Sequence, residues 1–102
     1  MSNYFRYRNN LFFHPGYFIE DFIRFYGITQ EDFALRLDIT SRNLGLLIRG
    51  EQSLSPEMAR RLSAVTNTST ELWTNIQKEY DEMKDAAQSQ QTGESTLKGK
   101  EK

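Results

Sequence analysis

Apolar residues recur at helical spacing in five stretches of the chain, which polar or glycine-containing breaks separate. The first stretch follows His14-Pro15-Gly16, where a proline suits the opening turn, and it ends at Gly27. One face of this helix carries Phe18, Ile19, Phe22, Ile23 and Tyr26. His14 has no nucleophile or ordered carboxylate partner in the sequence, so we assign it a structural or capping role.

Two short helices with a tight turn between them are predicted from Thr29 to Gly50. Thr29 is the expected N-cap of the second helix, and Ile28 precedes it in a position to pack against Phe33. The turn spans residues 38–40, after which Thr40 or Ser41 begins the third helix, and Gly50 provides a left-handed stop. The expected core positions of this pair are Phe33, Ala34, Leu37, Leu44, Leu47 and Ile48.

Two further helices follow. Ser55 as N-cap and Pro56 at the first helical position open the fourth helix, whose buried residues are expected to be Met58, Ala59, Leu62 and Val65. The fifth helix starts near Thr70 and carries a heptad-like series comprising Trp73, Ile76, Tyr80, Met83 and Ala87. Trp73 and Ile76 suit the core of the same chain. We expect the later three, Tyr80, Met83 and Ala87, to be the candidates for a dimer contact.

The two ends of the chain lack a helical pattern. Residues 1–13 mix aromatic residues with Arg6 and Arg8, and we predict a flexible arm. Either Leu11, Phe12 and Phe13 pack on the domain while the rest is loose, or the arm touches a partner or DNA. Residues 88–102 are rich in Gln, Ser, Thr and charged residues, a composition typical of a disordered polar tail. The predicted domain therefore spans residues 14–87.

The outward face of the third helix carries the most informative chemistry. Arg42, Asn43, Leu46 and Arg49 share this face at helical spacing. Arginine can pair with guanine and asparagine with adenine in the DNA major groove, and an apolar side chain can meet a thymine methyl group. The alternative is an ordinary solvated face. Arg60 and Arg61 on the fourth helix are either phosphate contacts or merely solvated charges.

Charge is unevenly distributed although the formal net charge is only −1. Every arginine precedes residue 62 and every lysine follows residue 77. The arginine-bearing half is where DNA contacts are expected, because the guanidinium group presents a rigid fork of donors suited to phosphates and guanine edges. The small net charge argues against indiscriminate nucleic-acid binding.

Composition excludes several other classes of function. The 102 residues allow one small domain, and the sequence contains no cysteine and a single histidine. No disulfide framework, metal cluster or catalytic constellation can be assembled from these residues, so we expect neither an enzyme nor a cofactor nor a small-molecule substrate. No apolar run is long enough to cross a bilayer, and no signal peptide is recognisable. A cytoplasmic protein without membrane contacts is expected.

Residues 14–81 resemble the HigA-type antitoxins, a branch of the Cro/C1-type (XRE) helix-turn-helix proteins. The opening match is His14-Pro15-Gly16. The central matches are Thr29-Gln30 with Ala34, Gly50, the SPEMA stretch at 55–59 and Arg61-Leu62; the closing matches are Glu71-Leu72-Trp73, Asn75, Gln77 and Tyr80-Asp81. The sequence departs from the family at Asp38, where glycine is usual, and at Gly45 and Leu46, where polar or basic residues are usual.

The resemblance implies an all-α, five-helix, lambda-repressor-like domain that dimerises on operator DNA. It also implies that the protein represses its own operon and neutralises a RelE/HigB-like mRNA endonuclease toxin. By position, Gln30 would support the reading helix or touch a phosphate. The residues in or beside the major groove would be Thr40, Ser41, Arg42, Asn43, Leu46 and Arg49. A stand-alone repressor without a toxin, and a protein-binding domain that has lost DNA binding, remain the alternatives.

Overall fold

The computed structural model describes residues 3–97, with side chains described as far as residue 89. Five helices follow a short β-hairpin in the order β1 (Tyr4–Tyr7), β2 (Asn10–Phe13), α1 (Pro15–Tyr26), α2 (Gln30–Leu37), α3 (Ser41–Ile48), α4 (Pro56–Thr66) and α5 (Thr70–Leu97). The predicted five-helix fold is confirmed.

Side chains at the helix starts explain these boundaries. The Thr29, Thr40 and Ser55 hydroxyls each accept a hydrogen bond from the backbone N–H three residues later, at 3.0 to 3.1 Å. Ser69 does the same for Leu72 at the start of α5. Each bond satisfies a donor that the first helical turn would otherwise leave unpaired. The predicted caps are therefore confirmed, with Thr40 rather than Ser41 in the cap position of α3.

Left-handed backbone conformations end three of the helices. Gly27 closes α1 at φ 64°, Asp38 closes α2 at φ 60° and Asn67 closes α4 at φ 57°. Aspartate and asparagine tolerate this region better than other residues with a side chain. Asp38 thus performs the stop that glycine usually provides, and the turn between α2 and α3 forms without it.

One core joins all five helices. Its buried apolar side chains are Ile19, Phe33, Ala34, Leu37, Leu44, Leu47, Ile48, Leu54, Ala59, Leu62 and Trp73. Phe22, Ile23, Ile28, Ile39, Met58, Val65 and Ile76 pack around this cluster with partial exposure. The helical periodicity of the sequence therefore identified most of the buried positions. It was wrong for part of α1, because Phe18 and Tyr26, which share its predicted apolar face, are 38% and 61% exposed.

The N-terminal residues form a hairpin, so the prediction of a flexible arm is wrong. The strands pair from Tyr4 with Phe13 to Tyr7 with Asn10, around a two-residue turn in which Arg8 and Asn9 both have positive φ. Such a turn matches the twist of the strands that flank it. Ring contacts hold the hairpin on the domain, including Phe5 against Tyr80 with 5.3 Å between centroids. Leu11, expected to pack, is 43% exposed.

The C-terminal helix is longer than predicted. The backbone of α5 remains helical to Leu97, so the disordered tail that we expected from Gln88 does not begin there; residues 98–102 lie outside the described part. Glutamine and glutamate are good helix formers, and the backbone hydrogen bonds of a helix need no apolar partner. The low apolar content of residues 88–97 therefore did not predict whether their backbone is helical.

The hairpin and α1 both contact the end of α3. Asn3 donates through Nδ2 to the Ile48 carbonyl at 2.9 Å and to Glu20 Oε1 at 3.2 Å, while its own carbonyl accepts from the His14 N–H. Gly16 lies so close to α3 that a Cβ atom there would be 2.6 Å from the Ile48 carbonyl oxygen. Only glycine permits this approach of α1 to the end of α3.

Candidate nucleic-acid interface

The turn between α2 and α3 is held from both sides. Within the turn, the Asp38 N–H donates to the Leu35 carbonyl and the Ile39 N–H donates to the Ala34 carbonyl. From α4, the Arg61 guanidinium donates through Nη1 to the carbonyls of Leu37 and Asp38, at 2.9 and 3.0 Å. Together these bonds hold the turn, and they therefore fix the angle at which α3 follows α2.

Arg61 thus holds the turn between α2 and α3, a structural role that the sequence did not predict for it. Its Nε also donates to Glu57 Oε2 at 3.1 Å. Arg60 bonds the other oxygen of the same carboxylate, and the hydrogen bonds from the two arginines lower the pKa of Glu57. The sequence could not reveal the role of Arg61 in holding the turn, because its carbonyl partners lie more than twenty positions away in the chain.

Gln30 joins α2 to the first turn of α3. Its Nε2 donates to the Ser41 carbonyl at 3.1 Å. A Cβ atom on Gly45 would lie 3.2 Å from this same nitrogen and 3.2 Å from Nη1 of Arg49. Gly45 is buried, so position 45 in this chain accommodates the Gln30 side chain instead of presenting a reader to solvent.

The structure places the predicted reading residues together on the outer side of α3. Thr40, Arg42, Asn43 and Arg49 are exposed, whereas Ser41 and Leu46 are half-buried. The Arg49 guanidinium pairs with Glu51 at 3.3 Å. Among the side chains that the structure describes, residues 3–89, none forms such an ion pair with the Arg42 guanidinium.

The dimer candidates on α5 are not equivalent. Tyr80 is only 5% exposed, and its ring lies edge-on to His14 and Phe5 of the same chain, at 5.1 and 5.3 Å. This removes Tyr80 from the surface that could contact a second copy. Met83 and Ala87 remain half-exposed.

His14 has the capping role that the sequence predicted. Its Nδ1 accepts a hydrogen bond from the Gly16 N–H at 2.9 Å, at the start of α1. Burial lowers the pKa of His14, although a hydrogen bond with the Gln52 backbone and the charge of Asp81 oppose this shift. Because Nδ1 accepts the hydrogen bond from Gly16, this nitrogen carries no proton in the folded protein.

Among the described residues, no group of three or more His, Cys, Asp or Glu side chains is placed to hold a metal ion. No helix in the same part of the chain is both long enough and apolar enough to cross a membrane.

Known proteins share both the sequence pattern and the fold. Residues 26–73 match the Helix-turn-helix family. Virulence-associated protein A′ of Dichelobacter nodosus is 38% identical over 69 residues, which cover 67% of this chain and 60% of that protein. The uncharacterized HTH-type transcriptional regulator YddM of Escherichia coli (strain K12) is 32% identical over 63 residues, covering 62% of this chain and 67% of the relative.

Two solved structures show the same architecture. A Nostoc punctiforme protein assigned to the antidote proteins of plasmid maintenance systems superposes with a TM-score of 0.82 at 24% identity, over 84% of this chain and 94% of its own; at that identity the likeness shows the fold alone. Antitoxin HigA of Pseudomonas aeruginosa, solved with the higBA promoter, superposes with a TM-score of 0.73 at 26% identity, over 80% and 90% of the two chains. The present chain belongs to the XRE-type helix-turn-helix family, and its structural neighbours include HigA-type antitoxins.

Proposed function

We propose that this protein is the antitoxin of a type II toxin–antitoxin system, which binds operator DNA as a homodimer and represses its own operon. It also neutralises a RelE/HigB-like mRNA endonuclease. Support comes from the helix-turn-helix family membership and from the likeness to HigA of Pseudomonas aeruginosa with its promoter. For the DNA-binding role, the observation that carries the proposal is the exposed outer face of α3, held in place by Gln30 and Arg61.

In the proposed complex, α3 enters the major groove. Arg42 donates to a guanine edge or a phosphate, and Asn43 is placed to read adenine. Arg49 contributes after exchanging its pairing with Glu51 for a phosphate. Leu46 is half-exposed beside these residues and offers an apolar contact to a thymine methyl group.

Only three polar side chains per subunit, Arg42, Asn43 and Arg49, are proposed to contact bases or phosphates, which is few for sequence-specific recognition. We infer that specificity also depends on the spacing of two half-sites, about 34 Å apart for a two-fold dimer, and on the shape of the DNA between them. The exposed parts of Met83 and Ala87 on α5 are the candidates for holding the two subunits together.

Two binding experiments test the proposal. A gel shift on the DNA upstream of the gene should show a discrete complex, and the RelE-like product of a neighbouring gene should copurify with this chain. Operator binding without a toxin partner would establish the stand-alone repressor. Toxin binding without operator binding would establish a protein-binding domain, and the loss of both would overturn the proposal.

A further inference from the structure

Exposed aromatic residues are concentrated on α1. Of the eight large hydrophobic side chains that are exposed in the described chain, four lie on this helix and a fifth lies opposite them on α5. They are Tyr17, Phe18, Phe25, Tyr26 and Leu72, with Phe25 the most exposed at 78%. Contiguous apolar surface of this kind marks a place where a protein binds a partner, whereas single exposed apolar residues do not.

A groove runs between α1 and the N-terminal half of α5 beside these side chains. It has a volume of about 520 Å³ and is lined by Phe18, Asp21, Phe22, Phe25, Tyr26, Thr66, Thr68, Leu72, Trp73 and Ile76. A second depression of about 150 Å³ continues it towards the hairpin, sharing Phe18 and Ile76 and adding Phe13 and Glu79. We call the two together the α1–α5 groove.

The charges of the α1–α5 groove indicate its occupant. Asp21 and Glu79 are the charged side chains among its described lining residues, and both are acidic and exposed. Such a surface repels DNA phosphates. A second copy of this chain is also disfavoured, because a two-fold contact through this surface would face one acidic surface with another and supply no complementary basic group.

We propose that the α1–α5 groove binds the toxin, through an apolar segment of the toxin flanked by lysine or arginine. This inference rests on the proposed antitoxin function. An endonuclease that acts on mRNA must bind a polyanion and therefore carries basic surface. Apolar anchors enter beside Phe25 and Leu72, while Asp21 and Glu79 pair with the flanking basic groups.

The groove is separate from the DNA-reading surface. Arg42, Asn43 and Arg49 do not line it, and α3 contributes none of its lining residues. One subunit can therefore hold operator DNA on α3 and the toxin on α1 at the same time.

The test compares two exposed apolar residues of nearly equal exposure. Phe25→Glu places a charge in the groove, and Leu35→Glu places the same charge at a residue 76% exposed on α2, outside the groove. The purified RelE-like product of the neighbouring gene is titrated into each full-length variant by calorimetry. We expect Phe25→Glu to weaken binding about tenfold or more, and Leu35→Glu to leave it within about twofold.

The outcomes separate the two proposals. If the parent chain does not bind the toxin, the antitoxin function fails and the groove inference falls with it. If the parent binds and Phe25→Glu binds equally well, only the groove inference is overturned. If Phe25→Glu converts a dimer to a monomer in sedimentation, the groove is a contact between copies of this chain, which also overturns it.

A second pair of variants tests the charge argument. Asp21→Lys reverses a carboxylate inside the groove, and Asp85→Lys reverses an exposed carboxylate on α5 outside it. We expect Asp21→Lys to weaken toxin binding several-fold at low salt and to reduce its dependence on salt, while Asp85→Lys changes neither. Equal effects of the two reversals would show that only the overall charge matters and would overturn the proposed pairing.

Discussion

Arg42 at the start of α3 and Arg49 at its C-terminal end differ in the contacts that each would have to break in order to bind DNA. Arg42 is exposed at the start of the helix and has no ion pair with the side chains described for residues 3–89, whereas Arg49 is paired with Glu51 at 3.3 Å. Exchanging a partly exposed ion pair for a phosphate changes the free energy little, since exposed pairs contribute only about 0 to 1 kcal/mol. Of the two arginines, we therefore expect Arg42 to have the larger effect on base preference when it is removed.

Replacing Arg42 by alanine tests its role as a reader. We expect operator affinity to fall by about 1 to 3 kcal/mol, with relaxed preference at one base position, because a bidentate contact with guanine is lost. Gel shifts on a set of single-base operator variants measure both effects. Arg24→Ala is the matched control, since Arg24 lies on α1 in an ion pair with Glu20. Unchanged affinity and base preference in Arg42→Ala would place the reading face elsewhere.

His14 should make folding stability depend on pH. Burial lowers its pKa in the folded protein below the ordinary value of 6.5, so the unfolded chain binds more protons in the window between the two pKa values. Its stabilising contribution is complete above pH 6.5 and is lost as pH falls through this window. We expect the free energy of unfolding to rise from pH 5 to pH 7.5 with a slope of at most about 1.4 kcal/mol per pH unit from this group.

His14→Asn is the control for that pH dependence. Asparagine retains an acceptor for the Gly16 N–H but does not titrate. The variant should be less stable overall and show a flatter profile from pH 5 to pH 7.5 in urea denaturation. The lowered pKa of Glu57 affects only more acidic conditions, because its ordinary value is 4.5. A slope as steep as that of the parent would assign the pH dependence to another group.

At the scale of elements, the sequence identified the helices and missed the hairpin. Helix starts were readable because Thr29 and Ser55 provide their caps locally, within three residues of the bonds they accept. The hairpin has no glycine in its turn, and aromatic residues occupy both faces of its strands, so neither turn chemistry nor a clear alternation revealed it. In the structure burial alternates along Tyr4–Tyr7, but the sequence of this strand does not alternate between apolar and polar residues.

The hydrogen bonds that hold α3 in place could not be predicted from the sequence either. Gln30 was expected to support the reading helix by resemblance alone, and its bond to Ser41 gives that expectation a geometry. The carbonyl contacts of Arg61 and Asn3 join positions 23 to 45 residues apart. No local pattern encodes such pairs, because a side chain that donates to a distant backbone leaves no periodicity in the sequence.

Asn3 offers a test of the link between the hairpin and α3. Asn3→Ala removes the donor to the Ile48 carbonyl and to Glu20, so we expect the free energy of unfolding to fall by about 1 to 2 kcal/mol. Asn10→Ala, in the same hairpin, removes only an exposed 3.3 Å bond to the Arg8 carbonyl and should change stability by less than about 0.5 kcal/mol. Equal losses in urea denaturation would contradict the proposed importance of the Asn3 contact.

At the scale of the whole molecule, the apolar core ends well before the chain does. Trp73 is the last member of the buried apolar cluster, and Tyr80 is the last buried side chain among the described residues, although α5 continues to Leu97. Gln88 and Ser89 are exposed. The end of α5 therefore consists of helical backbone without a described contribution to the core.

Removing residues 88–102 should leave the melting temperature nearly unchanged, because helix propensity alone contributes little without packing. Thermal unfolding followed by circular dichroism measures this, and the mean helical signal per residue reports whether the removed part was helical in solution. Truncation to residue 79, which also removes Tyr80, is the control expected to unfold at a much lower temperature. A large loss in the first truncation would mean that residues beyond 87 pack on the domain.

The close approach at Gly16 has a consequence for regulation. Because α1 meets the Leu47 and Ile48 carbonyls with no room for a side chain, α1 and α3 cannot shift independently. If the toxin binds α1 and operator DNA binds α3, this contact is a direct physical link between the two sites. The coupling must then be reciprocal: the factor by which toxin changes operator affinity is the factor by which operator changes toxin affinity. Measuring either one gives the other.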